Sequence, residues 1–258
     1  KMKIVEVPIP TYYGDEICHV NGLEYAKDVV IDTVRYRLGR SGFGSGHLGH
    51  VAEPYAFKPS PYSSHGRILQ MLQGRSPMRI LDVGCGPGWL AKALTDAGHT
   101  VVGVDIAAAE GVTERMSRFV RADLADGIPD DVGGDFDLVL AADIIEHLPN
   151  PARLLSDMAG RVRPLGSIIA SVPNISHWYP RFRITAGRFD YDQRGVLDET
   201  HLRFFTRRRF LRVAEEAGLE EVSFRHTGLP LDALGLSGST VVTGTIGRAD
   251  RLLVSVWP

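Results

Sequence analysis

Ile80-Leu81-Asp82-Val83-Gly84-Cys85-Gly86-Pro87-Gly88 decides how the rest of the chain is read. A short apolar run fits a buried strand, and glycines at alternate positions then form a turn that lets a ligand approach bare backbone. Gly88 to Ala97 has the pattern of a helix, so the stretch is a strand, a glycine turn and a helix N-terminus whose first N–H groups are free. The spacing departs from the dinucleotide fingerprint G-x-G-x-x-G. The third glycine falls one position early, at Gly88, and Trp89 stands where the last glycine belongs. An NAD(P)-dependent oxidoreductase is therefore the weaker reading of this turn.

Outward from the turn the chain alternates strand-like and helix-like patterns. Further strands are expected at Val101 to Asp105, Phe119 to Ala122, Phe136 to Ala141 and Ser167 to Val172, with helical or irregular connections such as Pro151 to Val162 between them. Short apolar strands in this order indicate a buried parallel sheet. A helix at Thr206 to Ala217 ended by Gly218, a strand near Glu221 to His226 and a closing strand at Arg251 to Trp257 complete the expectation. Asp105 ends the second strand, where a carboxylate can accept hydrogen bonds from two vicinal ribose hydroxyls. Asp123 ends the third, within reach of an adenine amino group. Open α/β sheets bind ligands at the carboxyl ends of their strands, and here a glycine turn and two acids fall there in succession.

Composition bounds the alternatives. The chain has 258 residues, a formal net charge of -2 and 44% hydrophobic residues, values of a soluble globular protein that exclude a wholly disordered or fibrous one. The near-neutral charge argues against nucleic acid as the dominant partner. No apolar run is long enough to span a membrane, and the first residues lack the apolar core of a signal peptide. Cys18 and Cys85 form no disulfide framework, so a cytoplasmic setting is expected. The two histidines His47 and His50 in the glycine-rich stretch 41–50 lack a third ligand and are assigned no role. Residues 1–54 read as a helical segment, 22–38, followed by that linker, and 55–258 as the main domain.

DVGCGPG at 82–88, VVGVDI at 101–106, RADL at 121–124 and FDLVLAADIIEHL at 136–148 resemble class I S-adenosylmethionine-dependent methyltransferases, over roughly 55–258. The resemblance implies a Rossmann-like α/β fold, a seven-stranded mostly parallel sheet with an antiparallel last strand at 251–257 and helices on both faces. It implies S-adenosylmethionine as cofactor and S-adenosylhomocysteine as product. Gly84, Cys85, Gly86 and Gly88 would pack against the methionine part, Asp82 would sit beneath the turn and help place the amino group, Asp105 would hold the ribose and Asp123 would read the adenine. Ile106, Leu124 and Ala142 of the same motifs complete the expected cofactor site. Ser63-Ser64-His65 would open the domain as a lid helix over the cofactor.

Asp143, Glu146 and His147 follow the fourth strand. If a helical turn begins there, their spacing puts all three on one face, bordering the cofactor. Methyl transfer is an in-line displacement, so a protein supplies alignment, excluded water and, for a hydroxyl acceptor, a base. His147 is the first base candidate, with Glu146 or Asp143 to orient it, and His201 the second. Some relatives of the ubiquinone O-methyltransferase type bind a divalent metal at a similar pattern, but one acid and imidazole cluster specifies no ion, and metal is left unassigned. Asn174 to Thr206 is an insertion rich in aromatics and arginines, suited to close over an acceptor.

The stretch Val5 to Glu16 with Asn21-Gly22 resembles the tail of bacterial family-2 glycosyltransferases. That resemblance implies a fused or associated glycosyltransferase and a sugar, glycolipid or related hydroxylated metabolite as acceptor. The function expected is O-methylation with a histidine base. A non-catalytic module that binds S-adenosylmethionine or a glycan is the alternative.

Overall fold

In this computed structural model the described residues are 22–40, 57, 60, 63–192 and 195–227. The glycine-rich stretch 41–50, the glycosyltransferase-like stretch 5–16 and the closing strand expected at 251–257 lie outside them. Helix α1 (Gly22–Arg40) comes first, and its residues up to Val34 are exposed except for a half-buried Ile31. The remaining elements are α2 (Ser64–Leu72), β1 (Arg79–Val83), α3 (Trp89–Asp96), β2 (Thr100–Asp105), β3 (Arg118–Arg121), β4 (Phe136–Ala142), α4 (Pro151–Ala159), β5 (Val162–Ser171), α5 (Trp178–Thr185) and α6 (Arg207–Glu216).

The five strands form one sheet in the order β3-β2-β1-β4-β5, and every pairing is parallel. The chain runs outward from β1 through β2 to β3 and then crosses to β4 on the other side of β1. That reversal opens a crevice at the carboxyl ends of β1 and β4. Neighbouring β1 side chains point to opposite faces, and both faces are covered. Ile80 joins Val101, Leu138 and Leu140 under α2 and α3, with Ile68, Leu90 and Leu94. Leu81 and Val83 join Val102, Val104, Val139 and Ala141 under α4 and α6, with Leu154, Met158 and Val213. Strands buried on both faces need predominantly apolar runs, and β1 is one interrupted by the buried Asp82.

Local chemistry sets the ends of the helices. Ser63, Asn150 and Thr206 cap α2, α4 and α6 through side-chain oxygens that accept from Gly66, Arg153 and Arg209 N–H groups. The expected strands agree within a residue or so, except β5. It starts at Val162, because Phe136 pairs with Val162 before a bulge brings Leu138 opposite Ser167. Helix α4 accordingly ends at Ala159 rather than Val162. The seven-stranded expectation is corrected to five parallel strands among the described residues. Residues 221–226 follow Gly218 as irregular chain and pair with no strand of the sheet. No helix of the described residues is long and apolar enough to cross a membrane.

Candidate active site

The glycine turn is held open by backbone conformations that other residues resist. Gly84, Gly86 and Gly88 have φ of 74°, 52° and 78°. Space reinforces the demand. A Cβ on Gly84 would stand 2.5 Å from Ile144 Cγ1, and one on Gly88 would stand 2.7 Å from Met116 Cε. Gly84 and Cys85 N–H groups both donate to Val104 O, at 2.8 and 3.2 Å, which fastens the turn to the end of β2. Trp89, where a dinucleotide motif would have glycine, is covered by the Arg115 guanidinium at 3.9 Å, and Arg115 donates to Pro87 O at 2.6 Å.

Two acids serve this turn differently. Asp105 Oδ2 accepts from Gly86 N–H at 2.8 Å, and Oδ1 accepts from Ala107 N–H at 3.0 Å. Each oxygen keeps a lone pair for a hydroxyl. Asp82 is 1% exposed, and its Oδ2 has no hydrogen-bond partner. Burial, then the charge of Asp105, push its pKa up to about 7. Asp82 lines a cavity of about 10 Å³ with His65, Gly84, Cys85, Trp89 and Ala142. The Cys85 thiol is held far above its ordinary range by burial and by the charges of Asp82 and Asp105, so it acts as a small packing group. Of the remaining expected cofactor residues, Ile106 is exposed beside Asp105, and Leu124 is buried. Asp123 is exposed, with Oδ1 accepting from Ala125 N–H at 2.9 Å.

The acids after β4 are arranged otherwise than their spacing suggested. Ile145–His147 form a single 3₁₀ turn, and Asp143 precedes it with φ 54°, so Asp143, Glu146 and His147 do not share a helical face. Both Asp143 oxygens are engaged elsewhere: Ser64 Oγ donates at 2.6 Å and Ser171 Oγ at 2.7 Å. Asp143 thus joins the start of α2 to the end of β5 and does not orient His147.

The structure instead brings His201 to Glu146 and His147. Their ligand-capable atoms lie within 4.8 Å of one another, and these three residues could hold a metal ion. The two imidazole rings meet edge to face with centroids 4.8 Å apart, and His201 Nε2 is 3.9 Å from Glu146 Oε1. Glu146 is 1% exposed, and neither of its carboxylate oxygens has a hydrogen-bond partner. Burial, then Asp143, push its pKa up to about 9, so it carries a proton at neutral pH. Burial, then His147, lower the pKa of His201. Each histidine meets a carbonyl through Nδ1: Thr200 O for His147 and Val196 O for His201, both at 3.2 Å. His147 Nδ1 also lies 3.2 Å from Thr200 Oγ1, which donates its own hydrogen to Asp198 Oδ1 at 2.6 Å. A carbonyl only accepts, so each Nδ1 carries a hydrogen, and in a neutral ring Nε2 is then the acceptor.

The insertion supplies these carbonyls and a row of rings. Phe204 lies 6.2 Å from His201, 6.3 Å from Phe189 and 6.4 Å from Tyr191, centroid to centroid. Phe189 and Tyr191 are each 52% exposed, so the row runs from the surface to the buried histidine. Ser171, Val196 and Thr200 were assigned no role from sequence, and Ser64, expected to open a lid helix, was not expected to meet Asp143. Only Ser64 had a signal, its place beside a helix cap.

A family model described as a methyltransferase domain matches residues 62–223. A protein of Bordetella avium (strain 197N) named ubiquinone biosynthesis O-methyltransferase is 30% identical over 184 residues, covering 66% of this chain and 73% of its own length. The protein of the same name from Idiomarina loihiensis is 27% identical over 167 residues, covering 61% and 68%. Among solved structures, the Burkholderia thailandensis 1,6-didemethyltoxoflavin-N1-methyltransferase, with bound 1,6-didemethyltoxoflavin and S-adenosylhomocysteine, superposes with a TM-score of 0.50 at 19% identity. That match covers 86% of this chain and 93% of the other, and it shows the fold.

Proposed function

The chain belongs to the methyltransferase-domain family, and from that premise we propose that it is an S-adenosylmethionine-dependent methyltransferase that methylates a hydroxyl on a small ring-bearing acceptor. S-adenosylmethionine, when bound, supplies a methyl group on a positively charged sulfur. The residues of the glycine turn fit such a ligand. Asp82 offers an unpartnered buried oxygen for an ammonium, and Asp105 offers lone pairs for ribose hydroxyls. Gly86, Cys85, Ile106, Asp123, Leu124 and Ala142 are proposed to complete the site.

O-methylation rests on one observation, the pairing of His147 and His201 with both Nε2 atoms left as acceptors. One of them takes the hydroxyl proton as the oxygen gains the methyl. Glu146, with its pKa raised to about 9, holds its own proton and does not place a negative charge beside the base. A histidine with a lowered pKa is a weak base. It serves a phenol-type hydroxyl, with a pKa near 10, far better than one whose pKa approaches that of water, near 16. The row Phe189, Tyr191 and Phe204 supports a flat ring beside that base.

The relatives' printed names point to O-methylation in ubiquinone biosynthesis, and the sugar acceptor expected from the N-terminal residues is not carried further. Calorimetric titration of S-adenosylhomocysteine tests the cofactor, with Asp105→Ala expected to lose binding while staying folded. Turnover is then measured on a panel of phenols and of methyl glycosides. Methylation of a phenol that His147→Ala or His201→Ala abolishes, with S-adenosylhomocysteine affinity kept, is expected. Turnover of the glycosides alone would sink the acceptor class, and absence of any binding to folded protein would sink the whole reading.

A further inference from the structure

The carbonyls that fix the two histidines belong to Gly195–His201, a segment with no helix or strand of its own. Something must hold it. Asp192 N–H donates to Leu197 O at 2.7 Å, and Glu199 N–H donates to Asp192 O at 2.9 Å, so the segment is laced to the backbone of Asp192. The Asp192 side chain is in turn gripped by Arg183 of α5, Nη1 to Oδ2 at 2.5 Å, and these residues are 2% and 8% exposed. The same guanidinium donates to Asp190 O at 2.8 Å and to Tyr179 OH at 3.2 Å. A buried pair with this many hydrogen bonds has a defined geometry, whereas a lone buried charge would have to rearrange or hydrate.

We propose that Arg183 and Asp192 are positioning residues for the reaction centre: their ion pair seats the 195–201 segment so that Val196 O and Thr200 O set the tautomers of His201 and His147. The chain of contacts runs from α5 through Asp192 to two carbonyls and ends on the two imidazoles. Neither Arg183 nor Asp192 touches either ring, so their effect passes through the segment. Undocking it takes Thr200 O away from His147, and it releases the loop conformation in which Val196 O meets His201 Nδ1 within the segment, so that Nε2 of either ring can take the hydrogen. The lid insertion is accordingly a working part of the base as well as a cover. The word base rests on the proposed function; the tautomer control does not.

The test is a long-range hydrogen–nitrogen NMR spectrum of histidine-labelled protein, which distinguishes Nδ1–H from Nε2–H rings. Wild type is expected to show His147 and His201 as Nδ1–H. Arg183→Met and the isosteric Asp192→Asn are each expected to move both rings to a mixture, with S-adenosylhomocysteine affinity within about 2-fold of wild type. Spectra unchanged in both variants overturn the proposal, as does a wild-type spectrum with Nε2–H rings. If Arg183→Met fails to fold, Asp192→Asn alone decides. Wild type that shows the expected tautomers yet binds no S-adenosylhomocysteine refutes the methyltransferase reading and leaves the positioning role standing.

Discussion

Replacing Asp82 with asparagine is expected to stabilise the protein at pH 8 and to weaken the ligand it binds. Asp82 is 1% exposed, and its pKa is raised from 3.8 to about 7. A raised folded-state pKa means that folding favours the protonated acid. Its contribution is fully present below pH 3.8 and is lost as pH rises through about 7. The difference of about 3 pKa units corresponds to about 4 kcal/mol at pH 8, since each unit is worth 1.36 kcal/mol. Asparagine has the same shape and stays neutral at every pH, so it avoids that loss. It adds a second buried N–H, which costs about 1 to 2 kcal/mol if unpaired. The net gain is about 2 to 3 kcal/mol at pH 8, a rise in Tm of roughly 5–10 °C for a chain of this size. Urea unfolding of both proteins from pH 4 to pH 9 checks it, read as the difference in midpoint free energy. A difference that stays flat with pH, or asparagine the less stable at pH 8, would refute the reasoning. S-adenosylhomocysteine affinity should rise through pH 7 in wild type, as the carboxylate forms to meet an ammonium, and should lose that rise in Asp82→Asn.

Two further substitutions probe the scaffold around the site. Gly84→Ala combines a left-handed backbone at φ 74° with a contact of 2.5 Å to Ile144 Cγ1; a loss of about 2 to 5 kcal/mol is expected in urea unfolding, and a loss under 1 kcal/mol would show that Ile144 yields freely. Ser64→Ala removes the 2.6 Å hydrogen bond to Asp143 and should cost about 1.5 to 3 kcal/mol in the same assay, with no change expected from the neighbouring exposed Gln70→Ala.

The sheet and the glycine turn were legible because local chemistry dictates them. Apolar runs such as Val101 to Val104, set between helical patterns, are the mark of buried parallel strands, and a run of glycines before a helix has few other uses. The reaction centre was legible only in its members. His147 and His201 were both named as bases, but their meeting at 4.8 Å depends on how the insertion folds back, which no local pattern encodes. The helical face expected to carry Asp143, Glu146 and His147 did not form, for a related reason. A spacing of three and four residues implies a shared face only inside a continuous helix, and here the chain enters a 3₁₀ turn from a left-handed residue. The strand expected at 221–226 has the right residues but no described neighbour to pair with, and strand formation depends on a partner.

The central place of β1 also governs the birth of the fold on the ribosome. Ile80 pairs with Val101 on one side and with Leu138 on the other, so its second edge waits for residues made 58 positions later. At roughly 5–20 residues per second, that edge stays unpaired for roughly 3–12 s. During this interval the central strand of the nascent chain has a free row of backbone hydrogen-bonding groups, and a mutation that slows the arrival of β4 will cost yield through aggregation before it costs anything in the finished molecule.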